Sequence, residues 1–424
     1  MTPLPLPDGP RAGRLAQTIA FHRDPLGWLR AQQRRYGPLF TVRLAIAGPA
    51  VVVTAPEAVG ELLASDPLRA RTGEARRRFL GFVSPRSVLG ADGGEHQAAR
   101  ARVAPVFAAV GASEERRAAI ARLAERHAAS WPRRRPTRLL PRTRAFADEV
   151  FARHVLGVRE EARVLPLMRA TRRMLWTPGY PPLPPPGEGA GLLGAAGERL
   201  FDRRAEPVRA LLRAELEERA DGGGDAPETL LDAFAALPTD AAVDQLIPLL
   251  MAGQEPPACA LAWLLDRIAR AGAAAEPFLD PAADDPAARE RFVKETLRLR
   301  PPVHAVARRL REPLEVAGVT LPAGAGTLLP TVLLHRDPQA FPAPDLFAPE
   351  RWLERPDERT YLPFGGGARR CVGEPLAHAL IDCALPALAR AARLSPVGRT
   401  PERMVVRGTV TAGRRSVLAT AWPA

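Results

Sequence analysis

The chain has 424 residues, is 46% hydrophobic and carries a formal net charge of +13 at pH 7, most of it from arginine. That length and apolar content can bury a large core, and the even composition favours one lobed domain over several. Three widely spaced cysteines, Cys259, Cys371 and Cys383, exclude a disulfide framework and a paired zinc motif.

Met1–Gly13 is proline-rich and holds no apolar stretch long enough for a signal peptide or membrane anchor, so a cytoplasmic chain is expected. Asp24–Tyr36 reads as a helix, Leu39–Leu44 and Val51–Thr54 as strands, and Pro56 suits the first turn of a helix running to Ala64. Asp66–Gly94 is rich in turn residues and reads as a long loop. Helical periodicity dominates from Glu95 to about Ala220. Within it, Trp131–Pro136 is the densest basic run and reads as a solvated loop. With arginines spread along helices and few aromatics to stack bases, no nucleic-acid partner is expected. The prolines of Thr177–Gly187 break the helical pattern, giving a surface connection or a semi-rigid loop over an entrance. Asp240–Ala271 is the most apolar long helix. Gln254, Glu255 and three prolines interrupt it, which favours a buried central helix over a membrane span. Pro286–Arg300 is a further helix that stops at Pro301-Pro302. Short strands and turns run to about Pro330, a loop-rich stretch leads to Cys371, and a helix spans Glu374–Leu394. The tail after Arg399 alternates as strands do.

The densest chemical signal is Phe364-Gly365-Gly366-Gly367-Ala368-Arg369-Arg370-Cys371-Val372-Gly373. It places one cysteine behind a triple-glycine turn and before a helix. Glycines admit a flat ligand close to the backbone. Free N–H groups and the positive dipole end at the helix start favour a thiolate, which can ligate iron. Glu295 and Arg298 sit at i, i+3 on one helix face, and Arg351 lies in Phe347-Ala348-Pro349-Glu350-Arg351-Trp352. His96 and Arg100 are spaced i, i+4, again on one face. His335-Arg336-Asp337-Pro338 reads as a turn that packs the fold.

The cysteine stretch fills every position of F-G-x-G-x-R-x-C-x-G and resembles the haem-binding loop of the cytochrome P-450 family. The other motifs resemble that family in order and spacing over nearly the whole chain. The resemblance implies a mainly α fold with a small β-rich lobe, a triangular prism in which haem lies between the central helix and the helix after Cys371. One domain, 1–424, is implied, with a β-rich part (about 37–56) packing with about 303–332 and 399–424, and a helical lobe at about 94–300. It implies Cys371 as proximal ligand to the iron of haem b (iron protoporphyrin IX), framed by Phe364, Gly365 and Gly373. His96, Arg100, Arg308 and Arg369 would hold the propionates, with Arg309 a competitor of Arg308. Glu295, Arg298 and Arg351 would form a structural core triad.

The implied reaction is oxidation of an apolar small molecule, of the natural-product kind, by O2. Electrons would come from a separate ferredoxin or flavodoxin with its reductase, since no reductase domain follows Cys371. A basic face suits such an acidic carrier. Substrate contacts would come from Asp66–Gly94, Thr177–Gly187, Leu249–Pro257, Val303–Ala307 and Thr411–Arg415, with Ala252, Gly253, Val303 and the polar exception His304 in the pocket. One departure is clear. The family pattern A-G-x-[DE]-T is here Ala252-Gly253-Gln254-Glu255-Pro256, so the acid is retained and the alcohol is proline. Pro256 and Pro257 carry no N–H, which frees the carbonyls of Ala252 and Gly253 and predicts a local opening of the helix that could hold water. A substrate hydroxyl or ordered water would then stand in for the alcohol. A peroxide-driven or non-hydroxylating haem-thiolate enzyme, or a non-enzymatic haem protein on the same fold, is the alternative.

Overall fold

The computed structural model describes residues 5–45, 48–80, 83–175, 191–219, 227–275, 285–354 and 358–422. Helix α1 (Arg14–Arg23) leads directly into α2 (Pro25–Tyr36), where Asp24 accepts from the Gly27 N–H and Pro25 occupies the first turn. Strands β1 (Leu39–Leu44) and β2 (Gly48–Val53) pair antiparallel, and α3 (Pro56–Ala64) follows. The expected loop Asp66–Gly94 is more ordered than its composition suggests. It contains β3 (Ala70–Arg71) and α4 (Thr72–Phe79). The N–H groups of Gly73 and Glu74 at the start of α4 donate to the Asp92 carboxylate at 2.7 and 2.9 Å. A cap 19 and 18 residues away leaves no local signature in the sequence.

The helical lobe contains α5 (Gly93–Ala112), α6 (Glu114–Ala129) capped by Ser113, β4 (Pro136–Arg138) and α7 (Leu139–Val150). A π-helical turn, Phe151–Leu156, ends on Gly157 at φ +85°. Then come α8 (Glu161–Leu175), α9 (Gly191–Glu217), α10 (Leu230–Phe234) and the 33-residue α11 (Thr239–Ala271). The proline-rich stretch 177–187 lies outside the described residues. Helix α12 (Pro286–Leu299), capped by Asp285, is followed by β5 (Val306–Leu310), β6 (Leu314–Val316), β7 (Val319–Leu321), β8 (Gly326–Leu329) and α13 (Thr331–Leu334). The chain closes with α14 (Glu374–Ala392), β9 (Leu394–Pro396), β10 (Met404–Arg407), β11 (Val410–Gly413) and β12 (Leu418–Ala421).

The class is mainly α with small sheets, as the sequence led us to expect. The largest sheet has the order β1-β2-β8-β5-β3, with β2 and β8 parallel and the other pairs antiparallel. Met404 and Val406 of β10 share a core with Phe21, Leu29 and Phe40, whereas β12 pairs with β4 and β9. The helical core surrounds α11, which packs on α7, α9 and α14. A Cβ at Gly253 would overlap the Phe151 ring, so glycine is what lets the π-helical turn lie against α11.

Between α13 and α14 the chain is nearly strandless, and one carboxylate organises it. Glu295, fully enclosed, accepts from Arg298 Nε and Nη2 (2.8 Å each), Arg351 Nε (3.1 Å), the Ala348 N–H (2.9 Å) and Trp352 Nε1 (3.2 Å). Arg298 also donates to the carbonyls of His335, Pro344 and Leu346. Burial alone would raise the Glu295 carboxyl, but the Arg298 hydrogen bond and charge outweigh it and hold the pKa low. His335, also enclosed, accepts the Leu362 N–H at Nε2 (2.8 Å), so its proton sits on Nδ1, 3.2 Å from the Arg298 carbonyl. Burial, with Arg336 and Arg298 adding repulsion, drives its pKa down to about 3.

Removing one partner of such a buried cluster strands the other, so Arg298→Ala should cost about 3–5 kcal/mol in urea unfolding. A loss below about 1 kcal/mol would show the cluster to be dispensable. Because His335 is neutral when folded and ordinary when unfolded, its stabilisation is complete above about pH 6.5 and is lost as pH falls towards 3. Between pH 6 and 4 the unfolding free energy should therefore fall more steeply than in His335→Gln, by about 1.4 kcal/mol per pH unit. Parallel slopes would refute the assignment.

Candidate active site

The cysteine loop is held at both ends. The Leu362 N–H is tied to His335, the Cys371 N–H donates to the Phe364 carbonyl at 2.9 Å, and the Arg370 N–H donates to the Gly367 carbonyl at 3.1 Å. Gly365 and Gly367 have φ of +68° and +64°, the left-handed region that favours glycine. The glycines serve the protein's own packing as much as any ligand. A Cβ at Gly367 would overlap the Leu63 carbonyl of α3, and one at Gly366 would come 2.9 Å from Leu63 Cδ1. Gly373 is different: a Cβ there would face Cys371 Sγ at 3.9 Å and the Phe107 ring. The Phe364 ring lies 5.1 Å from that of His378 on α14.

Cys371 is accessible to solvent yet has protein on most sides, as a group lining a cleft does. Burial raises its thiol pKa, and the hydrogen bond from the Gly373 backbone only partly offsets this. The expectation that the helix start would by itself favour the thiolate is thus corrected: desolvation outweighs the helix terminus.

Beside the loop, cations gather around two carboxylates. Arg308 and Arg369, 2% and 5% exposed, flank Asp66 at 3.5 and 3.3 Å. Arg369 also reaches Asp92 at 2.6 Å. Arg308 Nε and Arg369 Nη1 are enclosed and have no hydrogen-bond partner. Arg309 faces the other side of β5 and pairs with Glu74 at 2.7 Å, so strand alternation separates the two competitors. His96 is buried on α5, and desolvation with the charges of Arg369, Arg76 and Arg100 lowers its pKa to about 4. Arg100 does not point at a free acceptor position. Its Nη1 donates to the Arg370 carbonyl at 2.6 Å. Arg76 of α4 joins the cluster instead, with a pKa lowered to about 10 by burial and by Arg369. Sequence reasoning missed Arg76, Asp66 and Asp92. The one signal was the run Arg76-Arg77-Arg78 within a stretch read as loop.

On α11 the helix runs unbroken through Pro256 and Pro257. The expected opening is therefore confined to the absent N–H donors, with no break in the helix. Ala252 is exposed in the middle of the helix, between the buried Leu250 and Gln254. Gln254 is 2% exposed, with its Oε1 lacking a partner. Glu255 is gripped by Arg144 of α7, with Nε–Oε1 at 2.6 Å and Nη2–Oε2 at 2.7 Å. Burial opposes the charge of Arg144, but the charge and hydrogen bond of Glu255 prevail and raise its pKa. A Cβ at Gly253 would meet the Phe151 ring, so that side of the glycine is covered by the π-helical turn.

Val303 bridges to Val410, and its carbonyl accepts from Thr331 Oγ1 at 2.5 Å. Thr411 is enclosed, with its N–H on the Pro302 carbonyl at 2.8 Å. The His304 ring packs edge-on against Phe21 of α1, centroids 5.2 Å apart, and burial lowers its pKa to about 4. Its assignment to the substrate pocket is corrected accordingly, because the ring is engaged with the N-terminal helix.

Among the described residues no helix is long and apolar enough to cross a membrane. A family model for cytochrome P-450 matches residues 289–413. Cytochrome P-450 135B1 of Mycobacterium tuberculosis is 33% identical over 415 residues, covering 94% of this chain and 87% of that one. Cyclooctatin synthase of Streptomyces melanosporofaciens is 30% identical over 417 residues, covering 92% and 90%. Retinoic acid-bound cyanobacterial CYP120A1 shares the fold at a TM-score of 0.79 with 19% identity, covering all of both chains. CYP175A1 of Thermus thermophilus does so at 0.73 with 23% identity, covering 95% and 96%. Identity of one third over nearly the whole of both chains reaches beyond a shared fold, and the chain belongs to the cytochrome P-450 family of haem-dependent monooxygenases, which draw on O2 and an electron-donating partner.

Proposed function

We propose that the whole chain, 1–424, is one cytoplasmic haem b domain that oxidises an apolar small molecule with O2, using electrons from a separate ferredoxin or flavodoxin and its reductase. A relative named as a cyclooctatin synthase supports a substrate from secondary metabolism. Cys371 is the proximal iron ligand. The observation that carries this reading is the enclosed cluster of Arg308, Arg369, Arg76 and His96 around only two carboxylates, Asp66 and Asp92, in which Arg369 Nη1, two residues before Cys371, has no hydrogen-bond partner. Buried donors are costly without acceptors, and the carboxylate edge of a porphyrin supplies them. The residues present therefore fit the group.

Arg308, Arg369 and neutral His96 hold that edge, with Arg76 as an added guanidinium and Asp66 and Asp92 orienting the cations. Arg100 braces the cysteine loop through the Arg370 carbonyl. Phe364, Gly365 and Gly373 frame the thiol, while Glu295, Arg298 and Arg351 keep the approach to the loop rigid. Because burial favours the thiol, Cys371 gives up a proton when it ligates. When bound, the group supplies reductive O2 activation, which thiolate donation to iron promotes.

On α11, Pro256 and Pro257 leave the carbonyls of Ala252 and Gly253 without their helical donors, and the buried Gln254 Oε1 has no partner. Unpaired acceptors suit a donor, so an ordered water or a substrate hydroxyl would take the place of the alcohol that Pro256 lacks. Glu255 is the carboxyl that hands on the proton, and Ala252 and Val303 border the substrate. Pro256 also favours a second reading, a peroxide-driven or non-hydroxylating enzyme, which turnover with peroxide alone against turnover with a reductase chain would separate.

The reduced carbon monoxide complex should show the red-shifted Soret band of a thiolate ligand, lost in Cys371→His. A histidine-type band in the unmutated protein would overturn the assignment. With a substrate selected by its binding spectrum, the protein should release several-fold more peroxide per electron than Pro256→Thr. Equal coupling in the two would remove the role given to Pro256.

A further inference from the structure

A second gathering of arginines stands at the end of α11. Trp263, Arg267 and Arg270 follow at i, i+4 and i+7, so they share one face of the helix. Arg300, the residue that caps α12, meets that face and lays its guanidinium over the Trp263 ring, 4.9 Å from the centroid. Arg267 lies in the same way over Phe347, at 4.8 Å. Asp266 is enclosed and already committed, since both its oxygens accept from Arg270 Nε, at 3.0 and 2.9 Å. Glu295 and Asp345, whose charges also reach this group, are taken by Arg298 and Arg351 and by Arg30 and Arg336. Arg267 and Arg300 form no ion pair among the described residues. Four donors here are enclosed and have no hydrogen-bond partner: Trp263 Nε1, Arg267 Nε, Arg270 Nη2 and Arg300 Nε.

We propose that this is a binding site for a phosphate group, free or at the end of a larger molecule. A place furnished with donors and no free acceptor takes an anion, because enclosed donors without partners are costly. The charge balance points the same way, with three guanidiniums facing one carboxylate. The carbonyl ends of α11 and α12 also lie here, but each is equivalent to about half a negative charge, so the site stays positive. Burial and repulsion between the arginines lower the pKa of Arg267, and that of Arg300 to about 10, and both remain cationic at neutral pH. Stacking on aromatic rings holds these two guanidiniums in fixed planes before any ligand arrives, which favours forked hydrogen bonds to an oxyanion. Phosphate suits the site better than a carboxylate, because it offers more acceptor oxygens and more negative charge at neutral pH. The site is open to a ligand from solvent, since Arg267, Arg270 and Arg300 are half-buried. Phe347, under Arg267, neighbours the Ala348 N–H that Glu295 holds. An anion bridging Arg267 and Arg300 therefore fastens the strandless stretch to α11 and α12, and its binding adds stability. The site uses no residue of the proposed haem cleft.

The test is calorimetric titration of the holoprotein with inorganic phosphate at fixed ionic strength, the haem covering Arg308 and Arg369. One phosphate per chain should bind, and the thermal midpoint should rise with its concentration. Arg267→Gln and Arg300→Gln should each weaken binding about tenfold, with an unchanged haem spectrum to show that the fold is kept. Arg203→Gln, at an exposed arginine of α9, should bind as the unmutated protein does. Phenyl phosphate separates the two sources. Binding about tenfold tighter than inorganic phosphate assigns the site to the phosphate end of a larger molecule, and equal or weaker binding assigns it to the free ion. Absence of saturable phosphate binding to the unmutated protein, equal affinity for acetate, or undiminished binding in both the Arg267 and Arg300 variants would overturn the proposal.

Discussion

The Glu295 carboxylate lies wholly inside the protein and accepts hydrogen bonds from two arginines, a backbone N–H and an indole. Regular secondary structure satisfies its own backbone groups, but the stretch between α13 and α14 has almost none. Arg298, the next-to-last residue of its helix, takes up the work by donating to three carbonyls of that stretch. His335 extends the same frame with one bond back to the Arg298 carbonyl and one forward to Leu362, the last anchor before the glycines. The position of Cys371 therefore depends on a charge cluster some distance from it. Such a cluster specifies geometry well and tolerates the loss of a member badly.

Around the loop the chain concentrates donors, and along α11 it concentrates acceptors. Arg308, Arg369 and Arg76 are brought together by Asp66 and Asp92, which neutralise only part of their charge. On α11 two prolines withhold backbone donors and leave acceptors behind, while Glu255 beside them is tied sideways to α7. In the proposed function the two regions take opposite chemistry, an anionic ligand edge near the cysteine and a hydrogen-bond donor near Pro256. The basic excess of the chain is spent partly inside, on arginines whose partners are carboxylates and backbone carbonyls, and this is why a charge of +13 does not imply nucleic acid.

The residues legible in the sequence are those whose partners are close along the chain or whose spacing fits one helix face. Glu295 and Arg298 are neighbours on one turn. The cysteine loop is ten contiguous residues with a helix start behind it. The prolines of α11 announce missing donors wherever the helix lies. What could not be read depends on long-range closure. Asp92 caps α4 from 18 residues away, Arg144 meets Glu255 across 111 residues, and Arg369 meets Asp66 across 303. His304 looked like a pocket residue from its position after Pro302, yet its ring turns to Phe21 of α1.

By itself the sequence determined the mainly helical class, the central helix, the cysteine loop and the replacement of an alcohol by Pro256, because each follows from covalent chemistry or from periodicity within one segment. Only the tertiary structure decided that Arg308 and not Arg309 joins the buried cluster, that Arg100 donates to the Arg370 carbonyl, that burial raises the Cys371 thiol pKa, and that Glu255 pairs with Arg144 of α7. Those outcomes turn on which side chains are desolvated together, and desolvation is a property of packing that no single segment carries.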